Sequence, residues 1–228
     1  MANSVYFVFS NPPPGVGEAE YSDWYEQHAR EIVAGPGFAG ARRYWLSPVV
    51  GGPPTNYRHL SLYELDGETS RPAMAELSNR MAADELTLRE WFGQIRFASF
   101  DGVALEDEGV RLPDHAYLVF SVPPVEIAFD AYDDWYAIHL RENLTADGFD
   151  AGWRFRLEAD TVDPQAPCAA SHAAIYDVSK EQPALRRALA ESREDGRRVT
   201  YPDWFGQIGF ASLDCQAVSP YVAAPVRR

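Results

Sequence analysis

Tyr21-Ser-Asp-Trp-Tyr-Glu-Gln-His28 returns later in the chain as Tyr132-Asp-Asp-Trp-Tyr-Ala-Ile-His139, and Trp91-Phe-Gly-Gln-Ile-Arg-Phe-Ala-Ser99 returns as Trp204-Phe-Gly-Gln-Ile-Gly-Phe-Ala-Ser212. Around these stretches, Tyr6-Phe-Val-Phe-Ser10 matches Tyr117-Leu-Val-Phe-Ser121, and Gly37-Phe38 matches Gly148-Phe149. The offset is 139 − 28 = 111 at the first motif and 204 − 91 = 113 at the second, so two residues were gained in between. Solenoid units repeat every roughly 20–50 residues, far less than this period. A period near one hundred residues is the size of a small domain. The chain of 228 residues therefore reads as two copies of one domain.

Within one copy, residues 4–10 alternate aromatic and aliphatic side chains of high β propensity, and Asn11-Pro-Pro-Pro-Gly15 stops that strand. Tyr21, Trp24, Tyr25, His28 and Ile32 fall on one face of a helix by their spacing. Glu18 and Glu20 sit near its positive end, and Gly35-Pro36-Gly37 closes it, as Asp147-Gly148 does in the second copy. A strand through Tyr44-Trp45, a Pro/Gly-rich connection over 47–56, a strand from Tyr57 to Leu65, a helix over 71–83 and a strand from Phe92 to Leu105 follow. The order β-α-β-β-α-β is the ferredoxin-like arrangement, an antiparallel sheet with both helices on one face. The expected fold class is α+β: two tandem ferredoxin-like repeats over 1–105 and 115–222, joined by a linker at 106–114 and followed by a tail at 223–228. Each sheet has a second apolar face that needs cover, so the two four-stranded sheets are expected to pack into one barrel within the chain.

Composition narrows the function classes. No apolar run approaches the roughly 18 residues that span a bilayer, and Met-Ala-Asn-Ser has no basic region before an apolar one. This predicts no membrane partner and a cytoplasmic location. A formal net charge of −14 argues against nucleic acid, whose phosphates need a basic footprint. Cys168 and Cys215 have no counterparts in the first copy and form no metal or disulfide pattern. Phosphate-cradling loops and the Gly-x-Ser-x-Gly elbow are absent from the sequence.

Asp23-Trp24-Tyr25-x-x-His28 and Gly35-Pro36-Gly37-Phe38-x-x-Ala41-x-Arg43-Tyr44 resemble the dimeric α+β barrel superfamily, its EthD-like branch most of all; Asp134-Trp135-Tyr136-x-x-His139 and Gly148-Phe149 repeat the match less completely. In that superfamily two chains commonly supply the halves, so the resemblance implies a monomeric pseudo-dimer or a homodimer of such chains. Its members include cofactor-free isomerases, cyclases, dehydratases, quinone-forming monooxygenases, haem enzymes and proteins without activity. Fold therefore does not select the reaction.

Of five histidines, four form two equivalent pairs, His28 with His59 and His139 with His172. One of each pair lies on the apolar helix stripe and the other on the third strand, where His59, Ser61 and Tyr63 share a face, as do His172, Ala174 and Tyr176. If the helices cover that face, both imidazoles point into one cleft beside Tyr25 or Tyr136. Imidazole titrates near neutrality and suits taking a proton at one carbon and returning it at another, and tyrosine hydroxyls could hold a carbonyl or phenolate oxygen. Such steps require no metal or organic cofactor. The resemblance to methylmuconolactone isomerases implies His28 and His59, and likewise His139 and His172, as acid and base. Tyr25, Tyr63, Trp24, Tyr136, Tyr176 and Trp135 are the expected substrate contacts. The expected activity is a lyase, dehydratase, cyclase or isomerase step on a small apolar, aromatic or polyketide-like compound. Oxygenation of a phenol, haem binding and non-catalytic ligand binding stay open.

Structural roles compete for the same residues. A histidine in a Trp/Tyr stripe reads equally well as core, and Trp91-Phe92 and Trp204-Phe205 read as core or barrel interface rather than substrate contacts. Asp23 and Asp134 read as solvated first-turn residues. Arg42, Arg43, Arg154 and Arg156 read as carboxylate binders or exposed strand residues, and His115 as part of the linker. The copies also differ: Ile32 becomes Asn143, Arg42 becomes Trp153, and the apolar Ser47–Pro54 hairpin is replaced by one with Asp160, Asp163 and Cys168. One copy thus reads as the working site and the other as scaffold.

Overall fold

A computed structural model describes residues 4–48, 56–106, 109–161 and 170–225. The first half runs β1 (Ser4–Ser10), α1 (Glu18–Val33), β2 (Phe38–Pro48), β3 (His59–Leu65), α2 (Arg71–Ala82) and β4 (Phe97–Ala104). The second runs β5 (His115–Val122), α3 (Phe129–Asn143), β6 (Phe149–Thr161), β7 (His172–Val178), α4 (Gln182–Glu194) and β8 (Gly209–Ala217), with a short β9 (Val222–Ala223). Each half has the strand order β2-β3-β1-β4 or its equivalent β6-β7-β5-β8. β4 then pairs with β6, and β8 with β2, so eight antiparallel strands close into a barrel within the one chain.

β1 is buried along its whole length because both of its faces are covered. Val5, Phe7 and Phe9 point into the barrel, whereas Tyr6 and Val8 lie under the helices. The barrel interior is a packed core of side chains from both halves: Phe7 meets Phe155 edge-on at 5.5 Å, and Phe9 meets Phe120 at 5.7 Å. Such offset and edge-on contacts suit the ring quadrupoles. α1 and α2 cover the outer face of the first half, and α3 and α4 that of the second. Gly37 (φ 87°) turns the chain from α1 into β2, and a Cβ there would stand 2.6 Å from the Cβ of Ala73 on α2. Only glycine allows both the turn and that approach.

Two strand boundaries change. The last strand of the first half begins at Phe97, because Phe92–Gln94 forms a 3₁₀ turn that folds Trp91 and Phe92 back onto α1. β-propensity at Trp91-Phe92 is overridden by this packing. The third strand starts at His59 rather than Tyr57, whose ring lies against Phe9 instead. Within the linker, Val110 and Leu112 join the barrel core, and Pro113 accepts a hydrogen bond from the Tyr44 hydroxyl at 2.9 Å. Of the expected tail, Ala223 belongs to β9, which pairs with β2 at Gly40 and Ala41. Cys168, Asp163 and the hairpin residues 49–55 lie outside the described residues.

Candidate ligand cavity and histidine site

The buried face of α1 carries Tyr21, Trp24, Tyr25, His28, Ile32 and Val33. Trp24 stacks on the His28 imidazole with 4.7 Å between centroids and 19° between planes. Phe92 meets the same imidazole edge-on at 5.7 Å. Beyond them lies a mostly apolar cavity of about 200 Å³ between the two helices and the sheet. Tyr25, His28 and Ile32 reach it from α1, Met74, Leu77 and Met81 from α2, and Tyr6, Tyr63 and Ser99 from the sheet floor. Sites for drug-sized ligands measure roughly 300–1,000 Å³, so this one suits a compound of about one or two rings.

Polar groups in the cavity are few. His28 is 6% exposed, and burial lowers its pKa from 6.5 to about 4, with Glu31 acting weakly the other way. It is therefore neutral at pH 7, and its buried Nδ1 has no hydrogen-bond partner among the described residues. The Tyr63 hydroxyl is likewise buried without a hydrogen-bond partner among them; burial, then the adjoining Tyr25 phenol, push its pKa well up. Tyr6 donates to the Ser99 hydroxyl at 2.8 Å. Behind this floor Arg43 is 2% exposed, its guanidinium 4.4 Å from the Tyr25 ring centre and donating to the Ser22 carbonyl at 3.1 Å.

Three of the four strand arginines are ion-paired, and the fourth, Arg43, is buried without an acidic partner among the described residues. Arg154 pairs with Glu106 at 2.6 Å, Arg42 with Asp114 at 2.7 Å, and Arg156 with Asp130 and Asp133 at 2.6 Å. Arg43 and Arg154 are equivalent, since the Val218 and Leu105 amides donate to their respective carbonyls at 2.9 Å. Ser219 therefore stands in the first half where Glu106 neutralises the second.

A clamp holds Phe92 over the helix. The Trp24 indole N–H donates to the Thr87 carbonyl at 2.9 Å, while the Thr87 amide and hydroxyl donate to Glu31 at 2.8 and 2.6 Å. Trp135, Thr200 and Glu142 repeat the device, with the indole donating at 3.0 Å and the hydroxyl at 2.5 Å. Sequence reasoning placed Trp24 and Trp135 among substrate contacts, yet they back the histidines rather than line the cavity. It set Phe92 aside, although that ring lines the cavity. It also missed the Met74, Leu77 and Met81 stripe, whose i, i+3, i+7 spacing on α2 was the available signal.

His59 and His172 do occupy the sheet face that the helices cover, but the structure does not bring each pair into one cleft. His59 Nε2 lies 2.9 Å from Glu18, between the rings of Tyr21 and Trp45. Glu18 precedes His28 by 28 − 18 = 10 residues, about 15 Å along the helix. His172 is held by Asp133 at 3.1 Å and Ser171 at 2.9 Å, under Tyr132. The carboxylates come from different turns: Phe129 stands at the Glu18 position and Ser22 at the Asp133 position. Burial lowers the pKa of both histidines against the pull of these acids. His115, at the start of β5, bonds Asp214 at 2.7 Å.

The second half is built alike and packed differently. His139 stacks on Trp135 at 4.8 Å, and burial, followed by Arg198, lowers its pKa to about 4. Tyr136 is buried beside it. Asn143, in place of Ile32, donates to the Tyr176 hydroxyl at 2.9 Å. Pro72 and Pro183 open α2 and α4, which sets Leu185, Ala188 and Ser192 opposite Met74, Leu77 and Met81. Those three are buried in close packing. A depression outside α4 is lined by Arg193, Arg198, Tyr201 and Phe205 without reaching His139.

Among the described residues no group of three or more His, Cys, Asp or Glu is arranged to hold a metal ion. Haem exceeds the cavity beside His28, so the residues there do not fit that group. No described helix is long and apolar enough to cross a membrane.

Solved structures share this architecture. An anthrone oxidase-like protein is similar over 99% of this chain and 94% of its own, at 14% identity and a TM-score of 0.54. A mutant chlorite dismutase from Candidatus Nitrospira defluvii is similar over 96% of this chain and 93% of its own, at 9% identity and a TM-score of 0.50. The shared fold is the α+β barrel. These likenesses carry the fold and no activity. No family model matches the chain, and no curated protein matches it significantly.

Proposed function

We propose that the first half binds a small, largely apolar aromatic or polyketide-like compound and that His28 moves a proton on it without a cofactor. The observation that carries this reading is the neutral His28 imidazole at the wall of a mostly apolar cavity, its Nδ1 buried without a hydrogen-bond partner among the described residues. A base with its pKa near 4 is weak toward water. Inside the cavity, however, proton transfer from a C–H beside a carbonyl, or from a phenol, converts a neutral pair into imidazolium and enolate or phenolate side by side. Their attraction favours the charged imidazole. Tyr63 offers a hydroxyl to the new oxyanion, and the buried Arg43 cation behind Tyr25 lowers the cost of negative charge there. Returning the proton from His28 to another atom of the same compound completes an isomerisation or prepares a dehydration.

His59 lies too far along α1 to share the step, so the chemistry is that of one imidazole. A single base also suits a second reading, in which phenolate formation at His28 prepares the substrate for oxygen. Oxygen uptake during turnover separates the two. Within the fold we assign the chain to the EthD-like branch on its Asp23-Trp24-Tyr25-x-x-His28 motif, as a tandem fusion over 1–105 and 115–222. Replacing His28 by Ala is expected to lower turnover of a small aromatic substrate by about 10²–10⁴, the usual contribution of general acid–base catalysis. The same change at His139 is expected to leave it within about twofold. Full turnover in His28→Ala would end the proposal.

A further inference from the structure

Positions 88 and 201 hold equivalent backbone in the two halves, because each follows the clamped threonine: Thr87 accepts from Trp24 at 2.9 Å and Thr200 from Trp135 at 3.0 Å. Their side chains differ. Leu88 is 38% exposed and does not line the cavity. Tyr201 instead turns inward, its ring centre 5.9 Å from His139 and 4.9 Å from Phe205, perpendicular to the latter. The Arg193 guanidinium caps the other side of the ring at 4.5 Å, and the hydroxyl is buried. His28 and Phe92, the equivalents of the two residues that Tyr201 touches, both line the cavity of the first half.

We infer that Tyr201 is a built-in occupant of the second histidine site: its phenol fills the space beside His139 and Phe205 that a ligand ring fills beside His28 and Phe92. The inference rests on the cavity of the first half being a ligand site and deepens it. The protein already shows what the imidazole–phenylalanine corner accepts, an uncharged six-membered ring with one hydroxyl. Position 88/201 then decides which half is open. Leu88 leaves the first open, and Tyr201, pinned by Arg193, closes the second. The smaller Ala188 and Ser192 let α4 settle against the filled corner, and Asn143 satisfies Tyr176 where Ile32 leaves Tyr63 without a partner.

The test uses p-cresol, the side chain of tyrosine as a free molecule, with the whole chain. Titration calorimetry is expected to find one equivalent bound by the wild type. Leu88→Tyr is expected to weaken that binding at least tenfold with circular dichroism unchanged. In the double variant Leu88→Tyr/Tyr201→Ala, one equivalent is expected to return, and p-cresol should now shift the His139 ring protons rather than those of His28. Wild-type affinity in a folded Leu88→Tyr overturns the inference, as does a folded double variant that regains nothing. Should Leu88→Tyr not fold, Tyr201→Ala alone decides, since it must bind two equivalents rather than one. These readouts concern occupancy alone, so their failure is distinct from a failure of His28 in turnover.

Discussion

At the residue scale, the protein holds two imidazoles neutral by burying them. His28 and His139 both have their pKa lowered from 6.5 to about 4, chiefly through loss of solvent. An unfolded chain binds protons at these sites from about pH 6.5 downward, whereas the folded chain resists until about pH 4. Their contribution to stability is therefore complete above about pH 6.5 and is lost as pH falls from there to about 4, by about 3 kcal/mol for each site. Urea titrations at pH 7.5, 5.5 and 4.5 are expected to fall in midpoint over this window. In His28→Phe the share of that fall due to one imidazole should vanish while the shares of His139, His59 and His172 remain. A fall of unchanged size in His28→Phe would show that other groups drive it. His28 and its copy His139 are thus alike in burial and differ in what lies beside them.

At the element scale, α1 and α3 do the same work. Each carries a tryptophan that backs the histidine and a glutamate, three residues beyond that histidine, that grips the threonine four residues before the Trp-Phe-Gly-Gln segment. Glu31→Ala removes both acceptors of Thr87. It is expected to cost about 1 kcal/mol, less than a buried charged hydrogen bond because the carboxylate is partly solvated. Hydrogen exchange should show the Thr87 amide deprotected while the β1 amides stay protected; an unchanged Thr87 would refute the clamp. The elements themselves were legible in the sequence. Tyr21, Trp24, Tyr25, His28 and Ile32 announced the buried face of α1 by spacing alone, and the doubled motifs announced the second copy. Other features depended on distance in space. Phe92 looked like strand until α1 supplied a surface for it to fold onto, and His59 shared the right face yet met Glu18 at the far end of the helix. Glu18 itself read only as a dipole partner. The cavity arises from the sizes of Met74, Leu77 and Met81 against a helix whose distance no local pattern encodes.

At the scale of the whole molecule, the duplication produces one object rather than two. Phe7 of the first half packs edge-on against Phe155 of the second at 5.5 Å, and both are fully buried. The seams β4–β6 and β2–β8 tie the sheets by backbone pairing, while the two helix layers lie on opposite outer faces. Because the core is shared, a cavity cut into it must weaken both halves together. Phe155→Ala is expected to cost about 3–5 kcal/mol, the range for removing a buried aromatic ring. Calorimetry should show one transition, displaced as a unit, with the calorimetric enthalpy matching the van't Hoff value. If instead the second half melted first and left a folded first half that still bound p-cresol, each sheet would have to be stable with its inner face uncovered. Val5, Phe7, Phe9, Leu60 and Leu62 on that face argue against such a state, for no element of the first half is left to cover them. The proposed ligand site therefore depends on the whole barrel, and losing the second half should abolish p-cresol binding without any residue of the cavity being touched.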